Sequence, residues 1–274
     1  MLKPLLIVIT ATLISSITYG QTDTLKAHGY FKKGYQKEIL RNYKEAKILY
    51  DSAVVANPNY SRTYFYRAMV RYYLADIKGS IEDYDTYILI NPLAANAYDN
   101  RGYSKFSMGD NKGAIDDYNK SISLNPNVVK AYLNRGGGED HLAHYDDALK
   151  DFYKAIELSP GNADAYFNIG ITKAALKDYT GAVEAYAVVL QSRPNFDKAY
   201  LYRGLCKAML KDSKGATDDL KHCLLLNPNN AEAYLNLGAL KLAANDKVGA
   251  CNDFQKALSL GSKSAAELIK QNCN

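Results

Sequence analysis

The chain has 274 residues, 47% of them hydrophobic and 23% charged, with a formal net charge of +5. That hydrophobic share is enough for a continuous core. So mild a charge does not argue for nucleic acid, which calls for a concentrated basic stripe. The 24 tyrosines and the absence of tryptophan are a bias that the organisation of the chain explains.

Residues 1–20 read as a secretory signal peptide. Lys3 is the charged start, Leu5 to Ile17 is an apolar run without charge, and Thr18-Tyr19-Gly20 offers small residues before Gln21. The run is short for a membrane span, so no span is expected after its removal. No cysteine lies near the cleavage site to carry a lipid anchor. The expectation is an exported protein, periplasmic or secreted, with a short linker at 21–26.

From residue 27 onward the chain is periodic. Pro58, Pro92, Pro126, Pro160, Pro194 and Pro228 fall 34 residues apart without insertion. A fixed period in the range of about 20–50 residues is the signature of a solenoid. With the proline at position 32, repeats start at Ala27, Ser61, Ala95, Val129, Ala163, Asp197 and Ala231. Position 4 is Tyr in every repeat, from Tyr30 to Tyr234. Position 8 is small (Gly34, Ala68, Gly102, Gly136, Gly170, Gly204, Gly238), and so is position 20. Position 24 is large (Tyr50, Tyr84, Tyr118, Phe152, Tyr186, Leu220, Phe254).

Positions 4, 8, 11 and 20, 24, 27/28 have helical spacing, and residues such as Gly109-Asp110 mark a loop between them. Each repeat is therefore helix A, a turn, then helix B. Asn-Pro at positions 31–32 ends helix B, because a residue before proline is pushed out of the α region. Small residues at 8 and 20 let the helices approach, and the aromatics of 4 and 24 are expected to fill the space between them.

This pattern resembles the tetratricopeptide repeat, with an aromatic at 4, Gly at 8, Ala at 20, an aromatic at 24 and Pro at 32. The resemblance covers residues 27–262. It implies an all-α, right-handed solenoid of seven helix-turn-helix repeats. Two departures stand out. Arg takes position 7 in four repeats, and position 11 is basic in six (Lys37, Arg71, Lys105, Lys173, Lys207, Lys241).

The repeats with Arg at position 7 (Arg67, Arg101, Arg135, Arg203) also have Asp at position 23 (Asp83, Asp117, Asp151, Asp219). In an antiparallel hairpin the two can meet, so four ion pairs within repeats are expected, bidentate in form and structural in role.

Beyond the repeats, Ala265 to Lys270 has a helical pattern with no second helix after it. Residues 263–274 read as a helix capping the last apolar face. Cys251 and Cys273 are equidistant from Ser262, where the chain turns, so antiparallel helices would bring them together as a disulfide. Cys206 and Cys223 fail that test and are expected as buried thiols.

No catalytic constellation is legible, and no cofactor motif. His141-x-x-His144, with Glu139 and Asp140 nearby, has helical spacing for a metal, but polar residues are ordinary at a helix end and no metal site is assigned. Gly136-Gly137-Gly138 lies within helix A, not in a phosphate loop, and reads either as a soft point or as a notch.

The resemblance places the binding surface on helix A, mainly at positions 2, 5, 6, 9, 12 and 13. Position 6 carries Asn100, Asn134, Asn168 and Asn236. An amide both donates and accepts, and some family members use such Asn to hold peptide main chain. Phe31, Tyr35, Phe65, Tyr72, Phe106 and Phe167 are the apolar residues expected beside them. The family's clamp for acidic C-termini needs Lys at 5 and Asn at 9, and no repeat has that pair. The reading is a non-enzymatic scaffold that holds an extended peptide or a partner helix in a groove. The alternative is an assembly subunit that self-associates through the same face.

Overall fold

The computed structural model describes residues 22–273, all helical or in turns and loops, with no strand among them. The expected signal peptide lies outside the described residues. Helix α1 covers 22–39 within them. It is followed by α2 (Tyr43–Ala56), α3 (Arg62–Tyr73), α4 (Ile77–Ile90), α5 (Ala95–Ser107), α6 (Asn111–Leu124) and α7 (Val129–His141). Then come α8 (Tyr145–Leu158), α9 (Ala163–Ala175), α10 (Tyr179–Ser192), α11 (Asp197–Met209) and α12 (Ser213–Leu226), and finally α13 (Ala231–Ala243), α14 (Lys247–Ser259) and α15 (Lys263–Asn272). Odd-numbered helices up to α13 are the A helices, even-numbered ones the B helices, and α15 follows the last pair. The fold is an all-α solenoid of helix-turn-helix repeats.

Two compact units divide the chain after Gly138, inside α7. In the first, α2 to α6 pack each against the next. In the second, α8 to α15 do the same. Residues 22–26, expected as a linker, are instead helical. No proline or glycine interrupts the chain there, and Asn57 Nδ2 donates to Thr24 Oγ1 at 2.9 Å, which ties the extra turn down.

Each hairpin is set by a close approach. The position-24 side chains Tyr50, Tyr118, Phe152, Tyr186 and Phe254 are at most 1% exposed, and burying a ring of this size contributes roughly 2–3 kcal/mol. Space for the ring comes from position 8. A Cβ on Gly102 would stand 2.8 Å from the Tyr118 ring, and one on Gly170 would stand 2.5 Å from that of Tyr186.

The position-4 tyrosines sit elsewhere than expected. Most are half-buried, Tyr30 is exposed, and only Tyr132 is buried. A buried O–H needs a partner. Tyr98 and Tyr132 donate theirs to the Pro92 and Pro126 carbonyls, at 3.2 and 3.1 Å.

The turn from A to B is also uniform. Position 15 is left-handed in every repeat, at Gly109 (φ 85°) but also at Arg41, Ala75, Ala143, Lys177, Lys211 and Asn245 (φ 57° to 64°). Position 16 then caps helix B. Asp76, Asp110, Asp178, Asp212 and Asp246 each accept from the N–H of a glycine three residues on, as an N-cap carboxylate does.

The expected ion pairs that lie within one unit all form. Arg67, Arg101 and Arg203 each place Nε and Nη2 on the two oxygens of Asp83, Asp117 and Asp219, at 2.6–2.9 Å. The Arg135–Asp151 pair runs from one unit to the other and stays an expectation. Position 11 joins the position-23 carboxylates. Lys105, Lys207 and Lys241 reach Asp117, Asp219 and Asp253 at 2.8, 2.8 and 2.6 Å. With Arg71, 3.3 Å from Asp83, this accounts for the base at position 11 in four repeats, whereas Lys37 and Lys173 pair instead with the exposed Glu45 and Asp178. The guanidinium also lies over the position-4 ring, 5.4–5.8 Å from its centre in four repeats.

One contact was not legible beforehand. The third guanidinium nitrogen reaches back to position 25 of the preceding repeat. Arg67 Nη1 meets Asp51 at 2.8 Å, and Arg101 Nη1 meets Asp85 at 2.6 Å. Arg135 Nη1 donates to Asn119 Oδ1 at 2.6 Å.

At the C-terminal end α15 packs on α14, and Cys251 and Cys273 are joined by a disulfide with Cα atoms 5.7 Å apart. Cys206 and Cys223 are buried free thiols, and burial pushes both up to about 11.

Candidate functional site

In the first unit the A helices present a tyrosine-rich face. Tyr73 and Tyr103 are exposed and Tyr72 half-buried. Their rings form a line: Tyr43 stacks on Tyr73 at 4.7 Å, Tyr73 meets Tyr72 at 6.1 Å, and Tyr72 meets Tyr103 at 5.3 Å. The Tyr72 and Ser107 hydroxyls are hydrogen-bonded at 2.9 Å. A pocket of about 240 Å³ opens on this line, between Met69, Tyr72 and Tyr73 of α3, Tyr84 of α4, Asn100, Tyr103 and Ser104 of α5, and Lys130 of α7.

Two of its lining residues, Asn100 and Lys130, belong to an interlocked polar cluster. Asp99 is 5% exposed. It accepts from Lys130 Nζ at 2.9 Å and from Asn134 Nδ2 at 3.0 Å. Lys130 Nζ also donates to Asn100 Oδ1 at 3.3 Å and stands 5.9 Å above the Tyr103 ring. The two donors satisfy the buried Asp99 oxygens.

The residues singled out in the sequence are distributed unevenly about this face. Asn100 and Tyr72 line the pocket, and Asn134 donates to Asp99, the partner of Lys130. Phe31 does not face a groove: it is 4% exposed and belongs to the core. Tyr66 and Tyr60 of the next repeat's approach cover it edge-on, with ring centres at 5.3 and 5.8 Å. Tyr35 is exposed beside Tyr66, at 5.5 Å. Phe65 is half-buried against Tyr84 and Tyr87, at 5.7 and 5.2 Å. Phe106 is half-buried.

In the second unit, Phe167 packs among Tyr186, Phe196 and Tyr202, at 4.9–5.9 Å. Asn168 is half-buried. Asn236 donates its amide to the Glu232 carbonyl one turn earlier, at 2.8 Å. Tyr103, Lys130 and Asp99 were not singled out as site residues. Lys at position 2 of repeat four facing Asp at position 5 of repeat three is the signal that pointed to them.

The histidine pair is otherwise occupied. His144 Nδ1 is 2.8 Å from Glu139 Oε2. Among the described residues, no group of three or more His, Cys, Asp or Glu is gathered to hold a metal. The glycine triplet runs on as helix, and a Cβ at Gly138 would stand 3.1 Å from Ile115 of the preceding repeat. No described helix is long and apolar enough to cross a membrane.

Comparison with known proteins identifies the repeat. The tetratricopeptide repeat profile matches residues 95–128 and 141–196. No curated protein matches the chain. Among solved structures, a tetratricopeptide repeat protein from Parabacteroides merdae superposes with a TM-score of 0.72 at 21% identity, over 91% of this chain and 100% of the other. YrrB, described as having an unusual peptide-binding site, gives 0.57 at 21% identity over 69% of this chain and 97% of its own. MamA from Desulfovibrio magneticus RS-1 gives 0.58 at 20% identity over 61% and 94%. At these identities the likeness is one of fold.

Proposed function

The chain is a tetratricopeptide-repeat protein, and from that premise we propose that it is a non-enzymatic scaffold which holds an extended peptide or a partner helix on the A-helix face. One observation carries this reading. The pocket of the first unit places an amide, a lysine and exposed tyrosine rings side by side on successive A helices. Amides and hydroxyls serve peptide main chain, and tyrosine supplies broad contact at low entropic cost. YrrB, of similar fold, is described as having a peptide-binding site; here the position-6 asparagines are the groups assigned to main chain. With Asn100 and Asn134 already bonded within the chain, a ligand gains their remaining donors and acceptors.

The test is a triple variant, Asn100→Ala, Asn134→Ala and Asn168→Ala, in the full chain. Peptides selected from a random library on the native protein lose at least about tenfold in affinity, while helicity changes little. Equal binding by the triple variant removes the asparagines from the site. A stable dimer that buries this face, seen by mass measurement over a concentration range, assigns the protein to self-assembly instead.

We also infer export to an oxidising compartment, periplasmic or extracellular. The apolar run at Leu5–Ile17 and the Cys251–Cys273 pair support this, since disulfides persist where thiols are not kept reduced. Cell fractionation tests it: recovery of the protein only from the cytoplasm, with both cysteines reduced, removes the inference.

A further inference from the structure

The tyrosine face of the first unit has a charge asymmetry that narrows its ligand. Its carboxylates point inward and are engaged. Asp99 is buried under Lys130 and Asn134. Glu38 accepts the Tyr50 hydroxyl at 2.6 Å. Its cations point outward. Lys32 at position 6 and Arg62 at position 2 are exposed, and no carboxylate pairs with either among the described residues. The Lys130 side chain is 57% exposed, and its ammonium, bonded to Asp99 and Asn100, has a third donor to offer.

Arg62 is also held in place. Its guanidinium lies 4.9 Å over Phe31 and 5.6 Å over Tyr66. A guanidinium set on a ring platform keeps its planar fork for a carboxylate, and little freedom is left to lose on binding. Packed rings connect this platform to the pocket wall. Tyr66 meets Phe65 at 5.5 Å, Phe65 meets Tyr84 at 5.7 Å, and Tyr84 lines the pocket wall. A ligand crossing this face meets Arg62 at one side, an apolar and aromatic pocket in the middle, and Lys130 at the other.

We propose that the occupant is an extended acidic peptide, with one apolar or aromatic side chain seated between Met69, Tyr72 and Tyr103 and carboxylates on either side facing Arg62 and Lys130. The proposal rests on the scaffold reading above and specifies its ligand. It does not use the family's clamp for a chain terminus, whose residues are absent here. The recognised groups are side-chain carboxylates within a segment.

The experiment uses the full chain and three pools of fluorescein-labelled 12-residue peptides. Each peptide carries one central Phe or Leu, flanked by Asp/Glu, by Asn/Gln or by Lys. Binding is read by fluorescence anisotropy at about 50 and 300 mM salt, which brackets strong and weak screening. The acidic pool binds at least about tenfold more tightly than the amide pool, and its advantage shrinks at high salt.

Arg62→Glu reverses the order, losing the acidic pool and gaining the basic one, and Tyr103→Ala weakens all pools. Circular dichroism confirms that both variants fold. Amide or basic peptides binding as tightly as acidic ones, with Tyr103→Ala still weakening them, overturns the acidic ligand and leaves the scaffold standing. Binding by no pool, together with failure of a random library to select any peptide, overturns both. An acidic pool that binds equally to native protein and Arg62→Glu also overturns the proposal.

Discussion

Arg101 and Asp85 belong to different repeats and meet at 2.6 Å, while the same guanidinium clasps Asp117 of its own repeat through Nε and Nη2. One side chain thus braces a hairpin and ties it to the one before. The two carboxylates differ in setting: the Asp117 side chain is 5% exposed and that of Asp85 54%. Asp117→Ala leaves Arg101 and Lys105 without their shared anion and costs about 3 kcal/mol. Asp85→Ala costs less than about 1 kcal/mol. Urea unfolding midpoints measure both, and equal losses contradict the division of labour.

Arg203 clasps Asp219 as Arg101 clasps Asp117, but position 25 of the preceding repeat is Ala187. Ala187→Asp supplies the missing carboxylate and raises stability by about 0.5–1 kcal/mol. In an Arg203→Ala background the gain disappears. A gain that survives there has another origin.

Glycines within helices separate by what a methyl group meets. A Cβ at Gly170 falls 2.5 Å from the Tyr186 ring, whereas one at Gly137 meets nothing within 4 Å. Gly170→Ala costs about 2 kcal/mol through overpacking. Gly137→Ala stabilises by up to about 1 kcal/mol through helix propensity. Thermal melts of the two variants move in opposite directions.

Burial raises the Cys206 and Cys223 thiols to about 11, so at pH 8 the reactive thiolate is scarce and shielded. A disulfide-exchange reagent such as DTNB labels neither thiol in the folded protein at pH 8 and both in denaturant. Raising the folded-state value disfavours ionisation of the folded form, so it costs stability as pH climbs past the ordinary thiol range. Replacing both by Ser or Ala therefore flattens the fall in stability between pH 8 and 10.

The repeat period made the hairpins legible, because proline, glycine and the large residue at position 24 each answer a local demand. The Arg67–Asp83 type of pair was legible for the same reason, since both residues lie in one hairpin. Arg67 with Asp51 was not: it joins two repeats, and no spacing within a repeat reports it. Phe31 was misplaced because its burial depends on Tyr60 at the junction and on Tyr66 arriving from repeat two. Of the position-4 tyrosines only Tyr132 is buried as expected; the others are half-buried or, at Tyr30, exposed. The face at Tyr72 and Asn100 was legible only as a set of positions. Its lysine and buried aspartate come from neighbouring repeats and emerge when α5 and α7 stand side by side.

The central claim is that a peptide occupies the tyrosine pocket of the first unit. The most direct measurement is the affinity of a library-selected peptide for the full chain and for its Tyr72→Ala/Tyr103→Ala variant, by isothermal titration. The account predicts at least about a tenfold loss, with a melting temperature close to that of the native protein, since both rings are partly open to solvent. Unchanged affinity in a folded variant places the peptide elsewhere and contradicts the account.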